Sequence, residues 1–282
     1  MRAAADQMDV APSSVSRQIA ALETETGLTL IEHGRRDIRL TDAGQRLLEY
    51  HTELLSIRER LTDDLASLSG NLTGKVSIGI GEGFLGTALF RSFDDLFAVY
   101  PGIAMSVRVT DTAEMIRMIA GDELHFGMAF HPANEPRLVS RFSTRIPLCV
   151  ITPPDHWLAA KDRVRLDMLE GEPMALLDQR FRMRQLIDLA AIESRGRLSC
   201  VLETNSIALL VEAVRAGRAC TVLPAFSVRG DIEAGRLSAV PLTEPLLQSL
   251  YVHLITRTGR KFSEPALLMM KSLRIHLGAV AR

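Results

Sequence analysis

No apolar run in this chain of 282 residues approaches the ~18 that a membrane-spanning helix requires. The opening "MRAAADQMDV" has none of the charged-then-apolar plan of a secretory leader. Both point to a cytoplasmic chain without a membrane partner. Cysteine is scarce: Cys149, Cys200 and Cys220 are widely spaced, odd in number and set in apolar runs. Buried free thiols fit that usage better than disulfides, and no zinc-type spacing occurs, so no metal is expected. Neither sign of charge dominates, the net value being −1. A chain so balanced has no general pull toward nucleic acid, and any DNA contact must come from local placement. Catalytic signatures are missing as well. No G-x-S-x-G or H-E-x-x-H occurs, and His125, His131, His156 and His253 are scattered over strand ends and loops. Histidines so placed are more often surface or hinge residues than catalysts, so neither an enzyme nor a cofactor is expected. What is present is ordinary for a soluble globular protein: 47% hydrophobic and 24% charged residues, over a length sufficient for two domains.

Residues 1–41 read as two short helices and a hairpin. "RAAADQMDV" is alanine-rich and helical, "APSS" is a turn, and "SSVSRQIAALETETG" is a helix starting near Ser13 or Ser14 and stopping at Gly27. On that second helix Val15, Ile19 and Leu22 share one face by the i, i+4, i+7 rule and form its expected core side. Ser13, Arg17, Ala20 and Ala21 lie opposite. One long basic side chain among small residues lets a helix approach base edges in a major groove, whereas a plain solvated helix would more often carry Lys and Glu there. The following "IEHGRRDIRLT" reads as two short strands around Gly34-Arg35-Arg36, a basic tip suited to phosphate contacts.

From Thr41, a good N-cap, a long helix follows. Leu47, Tyr50, Leu54, Ile57, Leu61, Leu65 and Leu68 step by threes and fours, and Leu47, Leu54, Leu61 and Leu68 are seven apart. The narrow stripe predicts that residues 42–68 pair with a second copy rather than pack on their own domain, giving a homodimer or homotetramer. The helix ends in "SLSGNLTG", a linker rich in Ser, Gly and Asn. Beyond it strands and helices alternate. Strands are expected at "KVSIGI", "AMSVRVT", "HFGMAF", "LCVIT", "MALLD", "LSCVLE", "ACTVLP" and "LYVHLIT". Helices are expected near Phe84–Val99, Thr112–Ala120, Arg182–Glu193, Asn205–Ala216 and Ser263–Leu277. The pattern implies parallel sheets covered on both faces. Pro132, Pro136 and Pro147 suggest that "FHPANEPRLVSRFSTRIP" crosses into a second sheet.

"GIGEGFLG" contains Gly81-x-Gly83-x-x-Gly86 with Asp111 downstream, which matches a dinucleotide fingerprint. A tight strand-to-helix turn is the competing reading, and Glu82 would set a carboxylate inside a loop that should welcome an anion.

The stretch "RAAADQMDVAPSSVSRQIAALETETGLTLIEHGRRDIRLTDAGQRLL" resembles the winged helix-turn-helix of the LysR-type transcriptional regulators. The resemblance rests on "AA" before the turn, "SRQIAALE" in the recognition helix, "G-L-x-L-I-E" before the wing and "R-L-T-D-A-G" opening the linker helix. It continues through "YPGIAMSV", "GDELHFGMAF", "PPDHWLA", "ETNSIALLVEAVRAGRACTVLPAFSV" and "GRLSAVPL", which look like the family's effector-binding domain. The implied fold class is α/β: a winged helix-turn-helix and long linker helix, then two α/β subdomains of type 2 periplasmic-binding-protein architecture with a small ligand between them. Family members begin with one further helix, so the head is expected to be truncated at its N-terminus. The implied domains are 1–41 for DNA, 42–73 for the linker helix and hinge, and 74–282 for the effector, with subdomain I at 74–145 and 250–282 and subdomain II at 146–249. "GIGEGFLG" then becomes the first strand-to-helix turn of the effector domain, without a dinucleotide.

The resemblance also implies roles. Ser13, Ser16 and Arg17 face double-stranded DNA, with Arg35, Arg36 and Arg39 on the wing. In the cleft, the helices starting at Thr112 and at Asn205-Ser206 would aim free N–H groups and positive dipole ends at one anionic ligand, most simply a carboxylate. The competing reading is that Thr112 and Asn205 merely cap their helices. Gly81, Glu82, Gly83 and Phe84 form one wall, Phe130 and His131 the hinge side, and Arg182 or Arg184 a counter-charge. The leading expectation is a ligand-responsive regulator. Its alternatives are a cytoplasmic small-molecule binding protein with a non-functional DNA-binding head, and an NAD-dependent oxidoreductase.

Overall fold

The structure, a computed structural model, describes residues 2–32, 38–67, 72–132 and 135–280. Arg35, Arg36 and Leu68 lie outside the described residues. Two compact units divide the chain, Met1–Glu59 and Arg60–Arg282.

The first unit opens with α1 (Arg2–Gln7) and α2 (Pro12–Thr26). Pro12, not Ser13 or Ser14, begins α2; Ala11 stands at the cap without a side-chain bond. A proline suits this place because its φ is preset and its missing N–H would have found no helical partner. The helix ends at Gly27, whose φ of +69° closes the last turn through an N–H bond to the Glu23 carbonyl. The Glu23 carboxylate then accepts the N–H groups of Leu30 and Ile31 at 2.7 and 3.3 Å, tying α2 to the chain beyond it. An antiparallel bridge pairs Ile31 with Leu40, and the Glu32 N–H meets the Arg39 carbonyl at 2.9 Å, where two short strands were expected; the tip of the expected hairpin lies outside the described residues. Thr41 caps α3 (Asp42–Ser67) by accepting the Gly44 N–H at 3.1 Å while donating to the Thr29 carbonyl at 2.6 Å. Ala5 and Leu30 are the buried hydrophobic residues described in this unit.

The second unit runs through β1 (Thr73–Ile80), α4 (Thr87–Val99), β2 (Gly102–Val109), α5 (Thr112–Ala120), β3 (Phe126–Phe130) and β4 (Leu138–Arg145). It continues with β5 (Leu148–Thr152), β6 (Pro173–Leu177), α6 (Arg182–Glu193), β7 (Ser199–Thr204), α7 (Ile207–Arg215) and β8 (Thr221–Pro224). Then come α8 (Arg229–Glu233), β9 (Ser238–Pro241), α9 (Pro245–Gln248), β10 (Tyr251–Arg257) and α10 (Glu264–Val280). One sheet has the order β2-β1-β3-β10-β4, with β1 parallel to β2 and β3, and β10 antiparallel to β3 and β4. In the other lobe β7 pairs with β6 in parallel, and β8 and β9 flank β5 antiparallel. A parallel bridge from Met174 to Cys220 joins β6 to β8. In the order β7-β6-β8-β5-β9 the second lobe repeats the strand directions of the first sheet, with β5, its first strand in the chain, standing where β10, the last, stands in the other.

Helices cover both faces of the first sheet, as parallel strands demand. Val76, Ile78 and Ile80 pack with Leu89 and Phe93 of α4 and Met269 of α10. On the other face Met115 and Ile119 of α5 meet Ala129 and Ile255. The second lobe has its own core from β5, β6, α6 and α7. Each such side chain, fully removed from water, contributes about 1.5–3 kcal/mol.

Two expectations need correction. The segment expected only to cross between sheets contains β4, eight residues long and paired with β10. As an edge strand it tolerates prolines at its ends, Pro136 before and Pro147 after. Cys149 and Cys220 are buried thiols, which burial pushes up to about 11 and about 12, but Cys200 on the edge strand β7 is exposed.

Candidate functional site

On α2 the side chains of Ser13, Ser16 and Arg17 are exposed, and Val15 and Ile19 opposite them are half-buried. Leu22, expected on the core face, is 39% exposed. Arg17 reaches back to the Ser14 hydroxyl at 3.4 Å, and the Ser16 hydroxyl donates to the Pro12 carbonyl at 3.3 Å. Arg39 is exposed beside the Ile31–Leu40 bridge.

In the second unit a cleft forms where β1, β2 and β7 release the chain into helical turns, the usual ligand position of open α/β sheets. After β1 the chain makes one 3-10 turn, Glu82–Phe84, before α4. That turn reaches the opposite lobe. The Glu82 carboxylate accepts the N–H groups of Ile207 at 2.7 Å and Ala208 at 3.1 Å, and the Ser206 hydroxyl at 3.0 Å. The Ser227 hydroxyl donates to the Gly83 carbonyl at 3.1 Å, and the rings of Phe84 and Phe226 stack at 5.3 Å. Approach is close enough that a Cβ on Gly83 would sit 3.1 Å from Ile207 Cδ1 and 3.3 Å from Ser227 Oγ.

Two cavities adjoin this contact. One, of about 50 Å³, is lined by Gly81, Glu82, Gly83, Phe84, Thr112, Phe130 and Arg182 among others. The second, of about 230 Å³ and more open, is lined by Glu82, Val109, Thr110, Asp111, Arg180, Phe181 and Asn205. The structure thus brings nine of the eleven expected effector residues to one place, counting Ser206 through its bond to Glu82. Arg184 is not among them. Its guanidinium is held inside its own lobe by Asp188 at 2.9 Å, the Leu177 carbonyl at 2.7 Å and Glu203 at 2.9 Å. His131 lines neither cavity. It stands at the end of β3 with φ +39°, its N–H on the Tyr251 carbonyl at 2.7 Å and its Nδ1 buried without a partner. Burial first, and Arg182 second, lower its pKa from the ordinary 6.5.

The caps differ from expectation by one residue each. Asp111, not Thr112, caps α5 by accepting the Glu114 N–H at 2.9 Å. Ser206, not Asn205, caps α7 by accepting the Leu209 N–H at 3.4 Å, while its proton goes to Glu82. The signal for the first was present: "DTAE" is an acidic residue three positions before a Glu at a helix start, a capping-box spacing. Thr110, Arg180, Phe181 and Ser227 also line the cavities and carried no local signal. Arg180 is paired with Asp178 at 2.7 Å and holds that carboxyl below its usual range.

Residues 69–278 match the LysR substrate binding domain. Residues 1–45 match the bacterial regulatory helix-turn-helix protein of the lysR family. The chain belongs to the LysR family. This LysR-type regulator is 25% identical to the HTH-type transcriptional activator CmpR of Synechocystis sp., over 99% of this chain and 91% of that one. Full-length OxyR from Pseudomonas aeruginosa, a variant, superposes with a TM-score of 0.67 at 21% identity, covering 97% of this chain and 88% of its own. The effector binding domain of QuiR in complex with shikimate superposes with a TM-score of 0.62 at 16% identity, covering 73% and 98%. The fold is therefore a helix-turn-helix head followed by an effector domain of periplasmic-binding-protein type. The LysR-type regulator acts on transcription through DNA and responds to a small molecule, and the oxidoreductase reading is set aside. The Gly81–Gly86 segment is the strand-to-helix turn that carries Glu82. No helix among the described residues is long and apolar enough to cross a membrane.

Proposed function

We propose that this regulator reads DNA in the cytoplasm through Ser13, Ser16 and Arg17 of α2 and Arg39 of the wing, with Arg35 and Arg36 at the wing tip, and that its effector is a small organic acid held in the cleft. The working assembly is a homodimer or homotetramer joined along α3. Residues 1–41 serve the DNA, 42–73 the pairing, and 74–282 the effector.

One observation carries the carboxylate reading: the start of α7 already binds a carboxylate, with three donors within 3.1 Å of the Glu82 oxygens. A helix N-terminus concentrates unpaired N–H groups and the positive end of the dipole, so it favours such a group over a neutral one. The shikimate in the QuiR effector domain is itself a carboxylic acid. Support for the assembly is the exposure of Leu54, Leu61 and Leu65 on α3 at 45%, 55% and 59%. Leucines spaced by a heptad stay exposed at a cost unless a second helix covers them.

A thermal-shift screen of the full chain against small organic acids, aromatic acids and amino acids tests the effector reading. An acid is expected to raise the Tm and to change retention of operator DNA. A screen in which only amines or neutral molecules act would refute the carboxylate class.

A further inference from the structure

We infer that Glu82 is a tethered occupant of the place an effector's carboxylate takes, and that an acid binds by displacing it. The inference rests on the reading of the cleft as the effector site. Glu82 lies 124–126 residues before Ser206, Ile207 and Ala208 in the chain, on the opposite lobe, yet its two oxygens use the three donors that a free carboxylate would need. The nine-residue helix α7 supplies those donors with its dipole, so among the described residues the carboxylate is held by N–H and O–H donors and forms no ion pair.

The cavities give an independent argument. Glu82 lines both the apolar space of about 50 Å³ and the polar one of about 230 Å³. About 50 Å³ admits a few water molecules, far below the ~300–1,000 Å³ of pockets that enclose organic ligands. While Glu82 stays on α7, the apolar space is closed to an effector. Its withdrawal frees the three donors and joins the two cavities in one movement. The joined space has an anion-holding end at Ser206 and an apolar end at Phe84, Phe130 and Phe226. That shape suits an acid with an apolar or aromatic body.

The exchange also bears on signalling. The lobes already touch through Glu82, through Ser227 on Gly83, and through the Phe84–Phe226 stack. One carboxylate replacing another at α7 adds little by itself. The effector's body, seated against Phe84 and Phe226, supplies the difference between the free and the bound regulator.

The test uses the full chain and two probes, acetate as a bare carboxylate and 3-phenylpropionate as a carboxylate with an apolar body. Tm is followed against each sodium salt at matched ionic strength in wild type, Glu82→Ala, Glu82→Asp and Glu82→Gln. Glu82→Ala and Glu82→Asp, which empty the α7 position or fall short of it, are expected to melt lower. Both are then expected to regain Tm saturably with acetate, and at lower concentration with 3-phenylpropionate. Wild type and Glu82→Gln, whose side chains still fill the position, should respond to acetate at least tenfold more weakly. Absence of rescue in both Glu82→Ala and Glu82→Asp, or an acetate response in wild type equal to theirs, would overturn the inference. Rescue by acetate requires no known effector. A wild-type cleft that binds nothing in the acid screen would therefore sink the effector reading while rescue still upheld the tethered carboxylate.

Discussion

The two units of this regulator differ in how much of their apolar surface they bury. The effector unit builds three buried clusters, in which Phe126, Ile78 and Ile151 have no exposure at all, although Phe90, Val99 and Ile192 stand exposed on its helices. In the head, the described buried hydrophobic residues are Ala5 and Leu30, while Met8, Leu28, Leu48 and Leu54 stand 45–59% exposed. One unit has an extensive core of its own, and the core of the other is small. The contrast teaches where substitutions should be felt as instability and where as lost association.

The largest effect is expected at the effector core. Phe126→Ala should cost about 3–5 kcal/mol in urea unfolding of the second unit, because a fully buried ring leaves a cavity. Leu22→Ala on α2 should cost about 0.5 kcal/mol or less, since that side chain is already largely in water. Equal costs would erase the contrast. Next, the paired change Leu54→Asp and Leu61→Asp should convert the assembly to monomers by light scattering while leaving the melting of the effector unit alone. A dimer that survives both would show that α3 is not what joins the copies.

Smaller effects sharpen the head's role. Arg17→Ala should lose about 1–3 kcal/mol at the preferred operator if the guanidinium reads a base edge. Arg39→Ala should weaken every sequence alike and reduce the salt slope by about one. Unchanged operator affinity in the Arg17 variant would move the reading face off this side of α2. The smallest effect belongs to the residue that follows β3. His131 is held below its ordinary pKa of 6.5 by burial, so the folded state binds its proton less readily than the unfolded chain. That contribution is present above about pH 6.5 and fades as the pH falls below it. His131→Gln should therefore flatten the Tm decline as the pH falls below about 6.5, and an unaltered slope would remove the histidine from the account.

Local patterns carried most of the architecture. Strands such as "LCVIT" and "MALLD", bounded helices, and the Thr41 cap were legible because each is decided by a few adjacent residues. Two edge strands, β4 and β9, were missed, although β2 and β7, also at edges, were read. β4, "LVSRFSTR", has no continuous apolar run, and its flanking prolines suggested only a crossover; β9 is four residues long. The cleft was legible as a neighbourhood, since Gly81–Phe84 and Asn205-Ser206 each follow a strand. The role of Glu82 was not. In the sequence it counted against an anion in the loop, because nothing local shows that its carboxylate meets a helix start more than a hundred residues away. The same limit explains Arg184, a cation near the cleft in sequence whose charge Asp188 and Glu203 already use.

Strand β10 lies between β3 and β4, although the whole of the second lobe separates it from them along the chain. Protein synthesis therefore meets the two lobes out of step. Residues 148–241 form a continuous stretch containing every strand of the second lobe. The first lobe waits for residues 251–257, its strands β3 and β4 already made but unpaired on the sides that β10 will fill. At about 5–20 residues per second, that interval lasts about 5–20 s. A nascent chain of this regulator thus spends seconds with two open strand edges available to a chaperone or to another nascent copy.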